Sequence, residues 1–148
     1  AGWRLGFAVG NRELIATLKK TKSYVDFGLF RAIQEAAVTA LSGPQDCVAQ
    51  TVATYKERRD VLIEEFAKAG WKIKKPVATF YVWAPIPMKY SAFSSMDFAR
   101  LLLQETGVIV SPGTGFGEFG EGYVRFALVQ PIDKIRRAAA AVKEFLAS

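Results

Sequence analysis

The sequence predicts a mixed α/β fold in which helices pack on one face of a small mixed sheet. Over several long segments, apolar residues recur at steps of three and four, which is typical of helices buried on one side. Short runs of aromatic and β-branched residues lie between those segments and are typical of strands. Hydrophobic residues make up 51% of the 148-residue chain and aromatic residues 13%, which supplies a core and excludes a disordered chain.

The first third of the chain predicts one short strand followed by two helices. Residues 5–9 alternate as a short buried strand does, and Gly10 closes this strand. Asn11 can cap the next helix, because its side-chain oxygen accepts hydrogen bonds from free backbone N–H groups. Helical periodicity resumes after residue 28 and ends at the Ser-Gly-Pro run of residues 42–44.

The middle of the chain predicts one long helix and two strands. Apolar residues step by three and four from about residue 45 to residue 69, with Arg59 as the one interruption, and a glycine stops the helix. Residues 71–75 are typical of an edge strand. Residues 79–83 are the strongest predicted strand, because they combine aromatic and β-branched side chains, and Pro85 ends it.

The last third predicts two further helices and two strands around a loop. A helix over residues 96–104 precedes a short strand at residues 108–110. A glycine-rich loop, residues 111–122, separates this strand from another at residues 123–129. Pro131 fits the first turn of a final helix, where its missing N–H is not needed. The apolar face of that helix comprises Ile135, Ala138, Val142 and Phe145.

Composition excludes several kinds of site and partner. The chain has no histidine, so a Ser-His-Asp triad, a Cys-His pair and a His-ligated metal site are impossible within it, and we expect no metal. The single cysteine, Cys47, is expected to be a packing residue. No apolar run approaches the roughly 18–20 residues of a membrane span, and we expect a soluble, cytoplasmic protein with no membrane partner. The chain starts inside a predicted strand without a signal peptide, which suggests a chain cut within a structural element.

The net charge is +6, and the excess of basic residues lies in the first half of the chain. A nucleic-acid-binding face combines basic residues with interleaved exposed aromatics or a recognisable motif. The sequence has neither feature. We therefore interpret the charge as a solvated basic surface and expect no nucleic-acid partner.

Gly115, Gly117 and Gly120 match the spacing of a dinucleotide-binding fingerprint and follow a predicted strand. The loop leads into another strand rather than a helix, however, so no helix N-terminus is available to bind a pyrophosphate. We therefore interpret this segment as a tightly turning loop whose glycines adopt backbone angles that other residues avoid.

Two arginines within apolar strands are candidate anion-binding residues. Arg125 lies mid-strand among apolar neighbours, where a charge is costly unless it is paired or faces a site. Its planar fork matches a carboxylate, but strand alternation equally allows it to point to solvent. Arg4 lies between Gly2 and Gly6, which suits a phosphate site and equally suits the surface of an edge strand. Both interpretations stay open for each arginine on these grounds.

Several motifs, taken in order, resemble the C-terminal part of the class I/II, fold-type I aminotransferases that depend on pyridoxal phosphate. The first is the run Ala-Gly-Trp-Arg-Leu-Gly-Phe at residues 1–7. The second begins with Ser-Pro-Gly at residues 111–113 and ends with Gly-Tyr-Val-Arg-Phe-Ala at residues 122–127. Between them, the family's order and spacing are also matched by residues 30–37, 55–60 and 79–83. The resemblance covers essentially the whole chain and is closest to alanine, aspartate or LL-diaminopimelate aminotransferases.

This resemblance implies a domain organisation and a role for both arginines. Residues 1–43 would end the large cofactor-binding domain, and residues 44–148 would form the C-terminal small domain, an α+β unit. Arg4 would bind the phosphate of pyridoxal 5'-phosphate, and Arg125 would bind the α-carboxylate of an amino acid or 2-oxo acid substrate. The family's enzymes would also imply a homodimer, with residues 24–27 near its interface.

The resemblance further implies that the family's Schiff-base lysine is outside the chain. That lysine lies eight residues before the arginine matched by Arg4, which places it five residues before Ala1. The chain then contains no catalytic residue, and we expect it to hold anions but to be inactive alone. Two alternatives remain: a free-standing α/β domain that binds a ligand or partner without catalysis, and a basic nucleic-acid-binding module.

Overall fold

Residues 2–147 are described by a computed structural model of the chain. In this range the helices are α1 (Arg12–Val25), α2 (Arg31–Ser42), α3 (Asp46–Lys68), α4 (Ser95–Thr106) and α5 (Ile132–Ala147). The strands are β1 (Tyr81–Pro85), β2 (Ser111–Pro112) and β3 (Tyr123–Ala127). The chain divides into two compact units, Ala1–Cys47 and Val48–Ser148.

The first unit is built on α1 and α2, and neither helix has a buried residue. As predicted, the Asn11 side chain caps α1 and accepts hydrogen bonds from Glu13 N at 2.9 Å and Leu14 N at 3.2 Å. The predicted strand at residues 5–9 is wrong, because this segment forms no strand and its large side chains are exposed. A strand needs a neighbour to pair its backbone groups, and the sheet seen in residues 2–147 lies within the second unit.

The second unit contains a three-stranded sheet in the order β1-β3-β2. Both strand pairs are antiparallel, so the predicted α/β class is confirmed while the sheet is not mixed. In this register Arg125 of β3 lies opposite Trp83 of β1 and opposite Ser111 of β2. The strand arginine therefore lies beside the start of the glycine-rich loop.

Helices cover one face of this sheet, and that face is the core of the second unit. Its strand residues are Val82, Ala84, Val124 and Phe126, all of them buried. They share one apolar cluster with helical and connecting residues that include Leu62, Phe66, Trp71, Phe98, Leu102, Ile135, Ala139 and Val142. Burial of one such large side chain is worth roughly 1.5–3 kcal/mol. Because successive strand residues point to opposite faces, this core fixes Arg125 on the face away from the helices.

The observed strands are displaced from the predicted ones by a few residues. β1 begins at Tyr81 instead of residue 79, since Thr79 has a left-handed backbone with φ of 72° that interrupts the extended chain. The strand predicted at residues 108–110 is found instead at Ser111–Pro112. β3 ends at Ala127, two residues before the predicted end.

The edge strand predicted at residues 71–75 is wrong. Trp71 and Ile73 are buried and the lysines between and after them are exposed, which is the alternation of a half-buried strand. The Trp71 indole Nε1 donates to the Pro85 carbonyl oxygen at 2.8 Å, but this segment joins no strand pair in the described residues. An extended segment packed on a core gives the same alternation as a paired strand, so the pattern could not distinguish them.

α3 confirms the predicted long helix, but only its C-terminal half is packed. Leu62 and Phe66 are buried, whereas Val48 and Val52 are 51% and 60% exposed. Cys47, expected to be a packing residue, is an exposed free thiol. It lies in the first turn of α3, where no residue is buried.

Candidate functional site

Arg125 lies at the centre of the sheet face that the helices leave uncovered. It is half-buried, while its neighbours in β3, Val124 and Phe126, are buried in the core on the other side. As the alternation predicted, it shares a face with Tyr123 and Ala127. Its guanidinium nevertheless does not extend freely into solvent, because aromatic side chains lie against it.

Two aromatic rings, Tyr81 and Phe116, lie over this guanidinium, and Trp83 and Tyr123 extend the ring contacts from Phe116. The four rings are called here the aromatic cluster. The Arg125 Cζ is 4.0 Å from the ring centroid of Tyr81 and 4.1 Å from that of Phe116. Trp83 meets Phe116 edge-on at 5.7 Å between centroids and stacks on Tyr123 at 5.6 Å. Attraction between the cation and the ring faces holds the guanidinium in place without using its N–H groups.

The hydrogen-bonding capacity of Arg125 is largely unused. Its Nη2 lies 3.5 Å from Ser111 Oγ, at the outer limit of a hydrogen bond. Its Nε is buried without a partner. Within residues 2–147, no carboxylate lies within 4.0 Å of this arginine. The second unit therefore holds a half-buried positive charge with donors to spare, which is the donor set that a carboxylate ligand requires.

The glycine-rich loop closes on itself through two of its glycines. A Cβ on Gly113 would lie 1.8 Å from the Gly120 carbonyl oxygen, and one on Gly120 would lie 2.0 Å from the Gly113 carbonyl oxygen. As predicted, the loop continues into a strand, β3, rather than a helix. This close approach folds the loop into a compact turn that carries Phe116 over Arg125.

Glu121 fastens this loop to the first residues of α4. Its Oε1 accepts hydrogen bonds from Ser95 N at 2.6 Å and Gly122 N at 2.9 Å, and its Oε2 accepts one from Ser95 Oγ at 3.2 Å. Ser95 is fully buried, and its Oγ is 3.1 Å from Thr114 Oγ1. The N–H groups of Gly122 and Ser95 lower the pKa of Glu121 below its usual value.

Sequence reasoning missed the aromatic cluster and Glu121. The cluster joins two strands and a loop that lie far apart in the sequence, and only the aromatic richness of residues 79–83 could have signalled it. The capping pair of α4, in which Ser94 Oγ accepts from Asp97 N at 3.1 Å, is visible in the sequence. The contribution of Glu121 to that helix end depends on the fold and carries no local signal.

Arg4 is placed in the first unit, and Arg125 in the second. Arg4 is exposed, has a left-handed backbone with φ of 55°, and has no acidic partner within 4.0 Å in the described part of the chain. The positions where Gly2 and Gly6 would carry a Cβ face open space. A free guanidinium between two unobstructed glycines fits a phosphate group chemically.

Metal binding and membrane spanning are two further functions for which the described residues can be inspected. Across residues 2–147, no group of three or more Cys, Asp or Glu side chains is arranged to hold a metal ion. None of the helices in that range has the length and apolar character needed to cross a bilayer.

Comparison with known proteins identifies the family to which this sheet, loop and strand arginine belong. Residues 1–142 match the aminotransferase class I and II family, and the chain belongs to that family of pyridoxal-phosphate-dependent enzymes. The chain is 50% identical over 143 residues to the glutamate-pyruvate aminotransferase AlaC of Escherichia coli (strain K12), covering 97% of this chain and 35% of that protein. It is 44% identical to the LL-diaminopimelate aminotransferase of Moorella thermoacetica, covering 98% of this chain and 36% of that protein.

A solved structure agrees with this assignment. An aminotransferase from Staphylococcus aureus superposes on 99% of the chain with a TM-score of 0.88 and 36% sequence identity, using 38% of its own length. The predicted resemblance to aminotransferases is thus confirmed. The chain spans about a third of the length of the curated relatives it matches.

Proposed function

We propose that this chain is the C-terminal part of a pyridoxal-phosphate-dependent aminotransferase, called here the whole protein. The whole protein would move an amino group between an amino acid and a 2-oxo acid. Family membership supports the reaction class, and the names of two relatives favour glutamate or another dicarboxylic amino acid as donor. The observation that carries the proposal is Arg125, a half-buried guanidinium whose Nη1 and Nη2 have only the 3.5 Å contact with Ser111 Oγ between them. No carboxylate among residues 2–147 pairs with it.

The role proposed for Arg125 is to bind the α-carboxylate of the substrate. Its Nε is sealed from solvent, so a carboxylate must approach the end of the guanidinium that carries Nη1 and Nη2. Tyr81 and Phe116 hold the guanidinium plane, which reduces the entropy lost when the bidentate pair forms. Binding at this end orients the amino acid and so selects the bond at Cα that is broken.

Arg4 is proposed to bind the phosphate of the cofactor. Its exposure and lack of an acidic partner within the described residues leave its donors available to an anion. When bound, pyridoxal 5'-phosphate supplies the electron sink for amino-group transfer. The residues that would move the proton at Cα include the family's lysine, which we expect upstream of Ala1.

Domain organisation and assembly complete the proposal. We propose that residues 1–43 belong to the large cofactor-binding domain and residues 44–148 to the small domain, in a cytoplasmic homodimer. Exposed aromatic residues in the first unit support an interface there, with Tyr24 83% exposed, Phe27 fully exposed and Phe30 72% exposed. Light scattering on the whole protein tests this assembly, and a monomer would contradict it.

The reaction is tested by expressing the gene that encodes this chain at its full length. With pyridoxal phosphate present, transfer from glutamate to pyruvate is expected, whereas the 148-residue chain alone should transfer no faster than free cofactor. A Ser-Lys pair ending five residues before Ala1 is expected in the encoded sequence. An unrelated upstream domain, together with no transfer from any amino acid, would contradict the proposal and favour a binding domain without catalysis.

A further inference from the structure

We propose that Glu121 is a positioning residue for the substrate site, because it holds Phe116 against Arg125 by fastening the glycine-rich loop to α4. This inference rests on the carboxylate-binding role proposed for Arg125. Glu121 itself does not contact the guanidinium and is not proposed to touch substrate.

The position of Phe116 depends on that of Glu121, because Gly113 and Gly120 at the two ends of the turn are in contact. Gly113 and Gly120 approach so closely that neither has room for a side chain. Phe116 lies between these glycines in sequence, so movement at residues 120–121 displaces the turn that carries it. Phe116 is itself 51% exposed, and its ring contacts are with Trp83 and Arg125, so its position depends on the turn that carries it.

The anchor at the other end of this contact is a buried residue of α4. Ser95 is fully buried at the start of α4, where the first backbone N–H groups have no partner within the helix. Ser94 satisfies the N–H of Asp97, and Glu121 satisfies the N–H of Ser95. A carboxylate also suits the positive end of the helix dipole. The anchor therefore depends on a hydrogen-bond acceptor that Glu121 of the loop supplies.

Removal of this acceptor should loosen Phe116 and weaken carboxylate binding without removing Arg125. The test uses the whole protein and three variants: Glu121→Ala, Glu121→Gln and the matched control Glu118→Ala. Glu118 belongs to the same loop, and its side chain makes no hydrogen bond or ion pair within the described residues. The probe is a monocarboxylate without an amino or oxo group, used as a competitive inhibitor.

Glu121→Ala is expected to raise the inhibition constant of the monocarboxylate about tenfold, the scale of a lost charge-assisted hydrogen bond. The turnover number should change much less, because the reacting groups lie elsewhere. Glu121→Gln should recover most of the affinity, since its carbonyl oxygen still accepts from the Ser95 N–H and its amide can donate to Ser95 Oγ. Hydrogen exchange of residues 113–122 should accelerate in Glu121→Ala and not in Glu118→Ala.

Thr114→Val provides a milder second variant, because it removes only the hydroxyl that faces Ser95 Oγ. Thr114→Val should also raise the inhibition constant of the monocarboxylate, and it takes the place of Glu121→Ala in the test if that variant fails to fold. Equal inhibition constants for Glu121→Ala and Glu118→Ala, with Arg125→Ala weakened as expected, would overturn this inference alone. Arg125→Ala with unchanged monocarboxylate affinity would overturn the proposed role of Arg125 and the positioning role with it.

Discussion

Asp60 of α3 lies between two basic side chains. Its Oδ1 is 2.8 Å from Arg59 Nη2 and 2.7 Å from Lys75 Nζ. The hydrogen bond from Arg59, followed by that from Lys75, lowers the pKa of Asp60 from 3.8 to about 2. Arg59 Nη1 also donates to the Pro76 carbonyl oxygen at 3.0 Å, so this group of charges ties α3 to the segment that leads to β1.

Asp60→Asn should destabilise the chain at neutral pH, because a carboxyl with a lowered folded-state pKa stabilises the fold when ionised. The loss should be at most about 1 kcal/mol, since ion pairs that solvent reaches contribute little, and the Asp60 and Lys75 side chains are 37% and 50% exposed. The difference from the natural chain should disappear as pH falls from 3.8 towards 2. Urea unfolding at several pH values measures this difference in the free energy of unfolding.

Glu57→Gln is the matched control for Asp60→Asn. Glu57 is exposed on the same helix and forms no ion pair within residues 2–147. If Glu57→Gln lowered the free energy of unfolding as much as Asp60→Asn, with the same pH dependence, the contacts of Asp60 with Arg59 and Lys75 would contribute nothing to stability.

At the scale of elements, helices were predicted closely and strands less so. α4 lies within one or two residues of its predicted bounds, and α5 begins directly after Pro131, because caps, periodicity and the glycine and proline signals are local. The strands at residues 5–9 and 71–75 were wrong, because pairing partners are not visible in a strand's own sequence. β1 was displaced by the backbone of Thr79, which no propensity indicates.

The close approach of Gly113 and Gly120 predicts that a side chain at residue 113 destabilises the fold. Gly113→Ala should destabilise the second unit by about 1–3 kcal/mol or more, because its new Cβ meets backbone atoms that cannot move aside. Gly115→Ala is the control, since a Cβ there meets nothing within 4 Å. Thermal unfolding of both variants measures the difference. Equal melting temperatures would show that the turn opens at little cost.

At the scale of the whole molecule, the two units differ in how much apolar surface they bury. The helices of the first unit bury none of their residues, whereas the second unit has a continuous core. The sequence could predict both arginines as anion-binding candidates, since a charge within an apolar run is a local signal. It could not predict the aromatic cluster, because that cluster exists only once β1, β3 and the loop are assembled.

The 148-residue chain should self-associate through its first unit. Trp3 is 77% exposed, Phe7 72% exposed and Phe27 fully exposed, and such surfaces promote association. The mass measured by light scattering should rise with concentration and should rise less for a Phe7→Ser, Phe27→Ser double variant. A strictly monomeric chain with strong amide-exchange protection from residue 2 to residue 18 would contradict this expectation.

The central claim, that Arg125 binds the substrate carboxylate, is tested most directly in the whole protein. The measurement is kcat/KM for an amino acid and for the matching amine without a carboxylate, in the natural protein, Arg125→Lys and Arg125→Ala. Loss of the bidentate partner costs on the order of 2–5 kcal/mol, or roughly a hundredfold or more in kcat/KM for the amino acid. Lysine keeps the charge but loses the fork, so it should restore only part of the rate. The account predicts that the amine is nearly unaffected, and an Arg125→Ala variant that slows both substrates equally, or neither, would contradict it.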